Sequence, residues 1–371
     1  MNSMQPHSST ACCRNLLAMP ETLRLAARLL AWFDDHGRHD LPWQRPRTAY
    51  RVWVAEIMLQ QTQVATVVPY FKRFLKQFGS LRALAQADID EVLAVWSGLG
   101  YYSRARNLHR AARICVAKHA GRLPRDFGAL LALPGIGRST AGAILAQAHG
   151  LPFPILDGNA RRVLIRCYGL YGDPGSTDLQ KQLWKLATDQ LPERRLADYT
   201  QAIMDLGATV CTRGRPSCRS CPLRRDCVAR REQLTDLLPQ RKSARKLPTR
   251  ETIMLILRDL DGRILLQRRP PSGVWAQMWS LPEAADETQA QRHVISNSGA
   301  AAKRIEFRRL PEFRHTFSHY HLRVTPLEVS VSGRRQINDD TDRRWFRPEE
   351  AIALGIPTPV RKLILSLAEE R

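Results

Sequence analysis

The spacing of apolar residues predicts a helical first half of the chain. In residues 21–35, apolar side chains recur at the interval of a helix that buries one face. The same pattern returns in residues 51–62, 64–77, 88–96 and 104–119. Glycine or proline interrupts most of these segments, and β-rich runs are few before about residue 230. We therefore predict an all-α domain over residues 21–230.

The pattern changes to the β type after residue 250. The runs TIMLIL (252–257) and RILLQ (263–267) flank an Asp-Gly turn, which is typical of a β-hairpin. Residues 321–331 alternate like a strand with one buried face. We predict a separate α+β domain over residues 251–371, joined to the helical domain by a basic linker over residues 231–250.

The composition indicates a folded protein with two or three domains. Of its 371 residues, 44% are hydrophobic and 25% are charged, and none of its apolar runs reaches the length of a membrane span. Residues 1–20 are polar, contain Cys12 and Cys13, and lack the apolar core of a signal peptide. We expect this stretch to be a disordered tail, or to lie upstream of the true start, and the protein to be cytoplasmic.

The charge balance points to a polyanionic partner. The formal net charge is +22, from 57 Lys and Arg against 35 Asp and Glu. A generally basic proteome would give the same surplus, but it would spread the charge evenly. Residues 211–250 instead hold twelve Lys or Arg and three Asp or Glu. This concentration favours nucleic acid as the partner.

Four cysteines within seventeen residues indicate a metal centre. Cys211, Cys218, Cys221 and Cys227 have the spacing C-x6-C-x2-C-x5-C. Disulfides are not expected without a secretory signal. Zinc usually takes two short Cys-x2-Cys pairs, and only one is present, so the spacing favours a four-cysteine iron–sulfur cluster while leaving zinc open. Cys115 and Cys167 lie in apolar helical stretches and are expected in the core.

The segment Leu133-Pro-Gly-Ile-Gly137 predicts a tight turn before a helix. Gly135 and Gly137 permit the turn, and the amides that open the helix, including that of Ser139, would face outward. Such amides bind a phosphate without reading sequence. The alternative is an ordinary connection between two helices.

Two acids are candidates for chemistry, each with a plain structural alternative. Glu56 lies in an apolar helical segment, so it is either a solvated helix position or an acid held in a pocket. Asp157 precedes the helix 160–167 and would serve as its N-cap. It also follows the turn and its helix by one short connection, so it could line the cleft that the turn faces.

Together these motifs resemble the helix-hairpin-helix DNA glycosylase superfamily of the iron–sulfur type and, within it, the MutY family of adenine DNA glycosylases. The similarity covers about residues 20–370. The stretches that carry it are LPWQ (41–44), VWVAEIMLQQTQV (52–64), GLGYYSRARNLH (98–109), LPGIGRSTAGAIL (133–145), DGNARRV (157–163) and QAIMDLGATVCTR (201–213). Endonuclease III, a relative with strand-cleaving activity, has a lysine where Ser139 stands here.

The resemblance implies a role for each residue of a glycosylase site. Glu56 would be the general acid, with a pKa raised by its apolar neighbours, and ionised Asp157 would stabilise the cationic sugar. Asn159 would position the water or the Asp157 carboxylate. The other implied roles are an adenine pocket (Trp43, Gln201, Asp205), occupation of the vacated DNA stack (Gln61, Tyr101), backbone binding (Gly135, Gly137, Ser139) and one 4Fe-4S cluster (Cys211, Cys218, Cys221, Cys227).

The C-terminal domain resembles a Nudix fold without its catalytic box. Residues 264–283 match the first Nudix strands, but the following sequence, EAADETQAQRHVISNSGA, lacks the Arg-Glu-x-x-Glu-Glu run that binds metal. The resemblance therefore implies recognition of 8-oxoguanine by Phe317, Ser318 and His319, and not hydrolysis. The alternative for Ser318 and His319 is an exposed strand end.

The expected partner is double-stranded DNA with adenine opposite 8-oxoguanine or guanine. We expect a monofunctional, monomeric glycosylase of a bacterial nucleoid that hydrolyses the flipped adenine and so prevents G:C to T:A mutations. Three rivals remain. A lyase like endonuclease III is disfavoured by Ser139, a Nudix hydrolase is disfavoured by the missing box, and a non-enzymatic DNA-binding protein requires Glu56 and Asp157 to be incidental.

Overall fold

The computed structural model describes residues 25–240, 246–298, 305–331 and 342–369. The predicted tail, residues 1–20, lies outside the described residues, as does part of the predicted linker. The chain divides into two compact units. The first comprises the residues up to Trp53, Arg125–Leu131 and Ile136–Ser243; the second comprises Val54–Pro124, Ala132–Gly135 and the residues from Ala244 onwards. Residues 21–230 thus contribute to both units.

The described helices follow the apolar spacing of the sequence. In chain order they are α1 (Leu25–His36), α2 (Ala49–Leu59), α3 (Val64–Gln77), α4 (Leu81–Gln86), α5 (Ile89–Trp96), α6 (Ser103–Lys118), α7 (Phe127–Leu131), α8 (Arg138–His149), α9 (Gly158–Tyr168), α10 (Thr177–Asp189), α11 (Leu196–Asp205), a π-helical turn (Leu206–Val210), α12 (Val228–Arg231), α13 (Glu287–Ser298), α14 (Pro348–Ala353) and α15 (Thr358–Glu369). None of them is long and apolar enough to cross a membrane.

Side-chain caps fix several of these helix starts. The Ser80 hydroxyl accepts a hydrogen bond from the Ala83 amide at 3.1 Å and so caps α4. Asp88 caps α5 in the same way, and the Glu91 carboxylate accepts in return from the Asp88 amide at 3.0 Å. These reciprocal bonds satisfy amides that have no partner inside the helix.

The first unit encloses one apolar core. Helix α1 contributes Leu25, Leu29 and Phe33, and helix α9 contributes Val163 and Leu164, all at most 2% exposed. The remaining members come mainly from α10, α11 and the π-helical turn. This core fixes α9 and α11, the two helices that carry Asn159, Gln201 and Asp205.

The second unit joins helices α3–α6 to an α+β part built on one mixed sheet. Its strands are β1 (Thr249–Asp259), β2 (Ile264–Arg268), β3 (Trp279–Ser280), β4 (Glu283–Ala284), β5 (Arg308–Arg309), β6 (Phe313–Thr316), β7 (His321–Val331) and β8 (Arg343–Phe346). The central order is β3-β2-β1-β7-β5. The long strands β1 and β7 pair in parallel from Thr249↔His321 to Asp259↔Val331, and β1 pairs with β2 as the predicted hairpin.

The apolar positions of the sheet explain this arrangement. Leu255 and Leu257 of β1 and Leu327 and Val329 of β7 are at most 5% exposed and share a core with α13. The predicted fold class, a helical part followed by an α+β part, is confirmed. The strand predicted at residues 321–331 has the observed bounds of β7.

Candidate functional site

In the first unit, Ser139 at the start of α8 contacts the short connection that leads from the end of α8 to Asp157. The Asp157 carboxylate accepts from the Ala160 amide at 2.8 Å and so caps α9, as predicted. The Ser139 hydroxyl accepts from the amide of Leu156, the residue before Asp157, at 3.1 Å. Ser139 therefore ties the start of α8 to the segment that carries Asp157.

A glycine permits close contact between α8 and the same connection. A Cβ atom added to Gly142 would lie 2.3 Å from the carbonyl oxygen of Pro154. This neighbour is backbone and cannot rotate away. Helix α8 thus packs directly on the segment that leads to Asp157, and only glycine fits at this contact.

Asn159 is tied to the cysteine loop through one buried arginine. Arg162 donates from Nη2 to the Asn159 side-chain oxygen at 2.9 Å and to the Gly207 carbonyl at 2.6 Å. Its Nε donates to the Cys211 carbonyl at 2.7 Å. Gly207 also lies against α9, since an added Cβ would be 2.5 Å from the Asn159 Cβ. The first turn of α9 and the start of the cysteine loop are therefore held as one piece.

The residues predicted for an adenine pocket include a buried polar pair on α11. Asp205 is fully buried, and its carboxylate accepts a hydrogen bond from the side-chain nitrogen Nε2 of Gln201 at 2.7 Å. It also accepts from the Arg38 amide at 2.8 Å and from the Arg38 Nε at 2.9 Å. Arg38 thus fixes the segment that contains Trp43, which is 3% exposed. The Gln201 side-chain oxygen is buried and has no hydrogen-bond partner among the described residues.

The glycine turn before α8 is exposed and tightly packed on one side. Gly135 has φ +80°, and a Cβ there would lie 2.9 Å from the Asn107 Cβ. Gly137 is the N-cap of α8 and offers no side chain to cap the helix. The first amides of α8 therefore have no side-chain cap, unlike those of α4. An anion site built from backbone amides requires such uncapped amides.

The four clustered cysteines line one small cavity of the first unit, together with basic side chains including Arg166 and Arg230. Burial is the main cause that raises the pKa of Cys227, and burial raises the pKa of Cys221 to about 12. Among the described residues, no group of three or more His, Cys, Asp or Glu side chains is arranged to hold a metal ion. The donor set itself, four half-buried thiols beside arginines, suits a cationic metal cluster, because ionised thiols at this depth need compensating charge.

Cys115 and Cys167 behave as core residues. Both are at most 2% exposed, and burial raises the pKa of Cys115 to about 11. The prediction that these two cysteines lie in the core is therefore confirmed.

Glu56 belongs to the second unit and is half-buried on α2. Its neighbours Val54, Ala55 and Ile57 are at most 2% exposed. Glu56 is therefore not the fully solvated helix position that sequence alone left open, and its neighbours along the chain are buried.

Gln61 and Tyr101 lie on two exposed turns of the second unit. Tyr101 is 47% exposed, and both residues have positive φ angles, +60° for Gln61 and +48° for Tyr101. Side chains with a Cβ seldom adopt this region, so surrounding contacts must hold both turns.

Phe317, Ser318 and His319 form the turn between β6 and β7. The Phe317 amide donates to the Tyr320 carbonyl at 2.9 Å and closes the turn. The Phe317 ring packs 5.1 Å from Trp275 and 4.6 Å from His315, measured between ring centroids. Ser318 and His319 are exposed beyond this anchor.

One cavity of about 340 Å³ brings the two predicted DNA-contacting regions of the second unit together. Its lining includes Tyr101 and the turn residues 317–319, more than 200 positions apart in the sequence, and also Arg106, Trp275 and His315. Arg106 donates to the Ala276 carbonyl at 2.8 Å, which fixes helix α6 at the edge of the cavity.

Sequence reasoning missed the residues that hold the site together. Arg38, Arg162, Trp275 and His315 have no motif of their own, although Arg162 and Trp275 fall inside stretches that carried the family resemblance. Their roles depend on contacts between distant segments, which local spacing does not reveal.

Comparison with known protein families finds one match in the helical part of the chain and one in the α+β part. The family described as HhH-GPD superfamily base excision DNA repair protein matches residues 54–188, and the NUDIX domain family matches residues 253–366. A thermostable thymine-DNA glycosylase structure superposes with a TM-score of 0.51 at 26% identity, covering 56% of this chain and 95% of that one.

Full-length relatives extend the similarity across both parts. The adenine DNA glycosylase of Buchnera aphidicola subsp. Acyrthosiphon pisum (strain APS) is 33% identical over 340 residues, covering 91% of this chain and 95% of the relative. The Homo sapiens adenine DNA glycosylase is 35% identical over 403 residues, covering 92% and 74%. With such identity across nearly its whole length, the chain belongs to the adenine DNA glycosylase family.

Proposed function

We propose that the protein is a monofunctional DNA glycosylase of base excision repair that hydrolyses adenine mispaired with 8-oxoguanine or guanine. Family membership supports the adenine reaction. The cavity shared by Tyr101 and the 317–319 turn carries the 8-oxoguanine part, because it offers aromatic and polar side chains on one concave surface. The basic stretch 211–250 suits the DNA backbone. We also propose that the protein is cytoplasmic, associated with the nucleoid and monomeric.

The base must leave the duplex before it can react. Flipping adenine costs a few kcal/mol of unstacking and unpairing. In the proposal Tyr101 and Gln61 enter the vacated stack, and exposed positions on turns suit that task. Backbone amides at Gly137 and Ser139, together with the Gly135 turn, hold a phosphate of the bent strand.

The extruded adenine is received by Trp43, Gln201 and Asp205. Gln201 supports this role because its buried carbonyl oxygen lacks a partner among the described residues and would accept from the exocyclic amine of adenine. Asp205 and Arg38 hold the Gln201 side chain in one orientation. The Trp43 indole contributes an apolar surface for the base.

Departure of adenine requires a proton and stabilisation of the sugar. Glu56 donates a proton to N7, so that adenine leaves as a neutral molecule. Ionised Asp157 stabilises the oxocarbenium-like sugar, and Asn159, oriented by Arg162, positions the attacking water or the Asp157 carboxylate. This division of labour between two carboxylates accounts for hydrolysis without covalent catalysis by an amine.

Wild-type protein is expected to give no borohydride-stable adduct with DNA. Ser139 has no amine, and its hydroxyl already accepts from the Leu156 amide beside Asp157. The variant Ser139→Lys is the matched positive control, since it introduces an amine near Asp157. We expect trapped complex only with the variant. Trapping by wild-type protein at the rate of base release would contradict a monofunctional mechanism.

Recognition of 8-oxoguanine is assigned to Phe317, Ser318 and His319, with Phe317 as the anchor. The double change Ser318→Ala/His319→Ala is expected to reduce the preference for 8-oxoguanine over guanine opposite adenine on the order of tenfold, the value of one or two lost hydrogen bonds. Single-turnover rates on the two duplexes measure this preference. Ser366→Ala, at an exposed position of helix α15, is the control. An unchanged preference in the double variant would remove the turn from recognition.

We further propose that Cys211, Cys218, Cys221 and Cys227 hold one 4Fe-4S cluster. When bound, the cluster would order the loop 211–227 and its arginines for contact with the DNA backbone. We expect purified protein to show visible absorption near 400 nm and about four irons per chain. Zinc at one atom per chain without colour would overturn this assignment.

We propose four segments along the chain. They are a tail at 1–20, a catalytic domain at 21–230, a linker at 231–250 and a recognition domain without a hydrolase box at 251–371. Each limit is an expectation from composition and from the family.

One assay separates this function from its rivals. The protein is incubated with duplexes that contain adenine opposite 8-oxoguanine, thymine glycol, or only normal pairs, and free base and nicked strand are measured. We expect free adenine from the first duplex alone, with no direct nick. Strand cleavage at thymine glycol would indicate a lyase like endonuclease III, and binding without any base release would indicate a non-enzymatic DNA-binding protein.

A further inference from the structure

Two neighbouring turns of the second unit carry backbone strain at their most exposed positions. Gln61 follows the end of α2, and Tyr101 precedes the start of α6. Each has a positive φ angle despite its Cβ, a conformation that strains the backbone. Such conformations persist only where contacts around the turn fix its backbone.

Arg104 supplies those contacts to the first turn. Its guanidinium Nη1 donates to the carbonyls of Ile57 at 3.0 Å, Met58 at 2.7 Å and Gln60 at 2.6 Å. The Ile57 and Met58 carbonyls lie in the last turn of α2, where carbonyls have no intrahelical partner, and Gln60 follows the helix. A positive charge at this position also suits the negative end of the helix dipole. The backbone on the N-terminal side of Gln61 is thereby fixed.

The same guanidinium holds the second turn. Its Nη2 donates to the Gly100 carbonyl at 3.1 Å and to the Leu99 carbonyl at 3.4 Å. It also donates to the Thr62 hydroxyl at 3.2 Å, on the C-terminal side of Gln61. The two nitrogens of one planar group therefore connect the backbones that flank Gln61 and Tyr101.

The surroundings of Arg104 make this connection rigid. The side chain is 7% exposed, and its guanidinium carbon lies 5.5 Å from the centre of the Trp96 ring and 5.4 Å from that of Tyr101. Burial lowers the pKa of Arg104 to about 10, so the group stays charged near neutral pH. A charged, planar fork is pre-organised to bind several carbonyls at once, which a lysine ammonium is not.

We propose that Arg104 is a positioning residue that joins the Gln61 and Tyr101 turns into one rigid element, so that both side chains enter the DNA stack together. The inference rests on the proposed function, in which these two residues fill the space left by adenine. It predicts that the contributions of Gln61 and Tyr101 are coupled. Gln61 and Tyr101 act as a pair because one guanidinium sets the backbone of both.

Arg104→Lys in the full-length protein tests the coupling, because a single ammonium cannot span both turns. In the free protein we expect the amides of residues 59–63 and 98–103 to exchange with solvent at least tenfold faster, while α8 and α9 are unchanged. This measurement needs neither DNA nor catalysis, so it is independent of the proposed function. Unchanged exchange at both turns would overturn the positioning role.

Adenine release supplies the second arm of the test. Arg104→Lys is expected to slow single-turnover release at least tenfold in the wild-type background, and less than twofold in a Gln61→Ala/Tyr101→Ala background. Equal fold-losses in both backgrounds would mean that Arg104 only supports the general fold, and would overturn the inference.

If the Arg104→Lys variant does not fold, a double-mutant cycle tests the same coupling without altering Arg104. It compares the adenine release rates of Gln61→Ala, Tyr101→Ala and the double variant. We expect the double variant to lose little more than the worse single variant. Independent, multiplying losses would contradict a joined element. If wild-type protein releases adenine only opposite guanine, the proposed preference for 8-oxoguanine is wrong. The release rates of the cycle are then measured on the duplex with guanine opposite adenine.

Discussion

Replacement of Glu56 by glutamine is expected to slow adenine release by roughly 10²–10⁴-fold, the usual contribution of a general acid. Glutamine keeps the size and polarity of the side chain but has no proton to transfer to N7. Glu56 is half-buried on α2, between the buried residues Ala55 and Ile57 of the same helix. Single-turnover release from a duplex with adenine opposite 8-oxoguanine measures the effect.

DNA binding by this variant should be nearly unchanged, because the substitution removes no contact to the backbone. Glu251→Gln provides the matched control, since Glu251 is an exposed carboxylate that pairs with Arg323 at 2.9 Å. We expect the control to release adenine at the wild-type rate. Full activity of Glu56→Gln would assign the acid to another group.

Asp157→Asn is expected to lower the rate roughly 10²–10³-fold, as for other groups that stabilise a charged transition state. Asp157 has an observed structural role, the N-cap of α9, and a proposed chemical one. Asparagine caps a helix as well as aspartate does, so this variant removes the charge and keeps the cap. Its melting temperature should therefore stay close to that of the wild type.

Asp157→Ala separates the two roles. It should slow adenine release by the same factor as Asp157→Asn. In addition, it should lose about 1 kcal/mol of folding stability, the usual value of an N-cap. Asp88→Asn makes the same change at the N-cap of α5 and should leave activity unchanged. If Asp157→Asn melted several degrees lower and stayed active, Asp157 would be a structural cap only.

The sequence predicts those elements whose signals are local. Helix α3 and strand β7 have the predicted bounds, because their apolar periodicity is strong and a glycine or a turn delimits them. The caps at Ser80 and Asp157 were predictable for the same reason, since a cap concerns residues two or three positions apart.

Contacts between distant segments could not be predicted from such signals. The cavity that joins Tyr101 to the 317–319 turn depends on how α6 and the hairpin pack, and neither spacing nor composition specifies that packing. The grouping of residues 54–124 with the C-terminal part is likewise a property of tertiary contacts. Arg38 and Arg104 are single arginines in a chain with 57 basic residues, so only their buried partners distinguish them.

We propose adenine removal that depends on the opposite base as the defining property of this protein. Single-turnover release of free adenine from three duplexes, with 8-oxoguanine, guanine or thymine opposite the same adenine, measures that dependence. We predict fast release opposite 8-oxoguanine, slower release opposite guanine and none opposite thymine. Equal release from all three duplexes, or no free adenine from any of them, would contradict it.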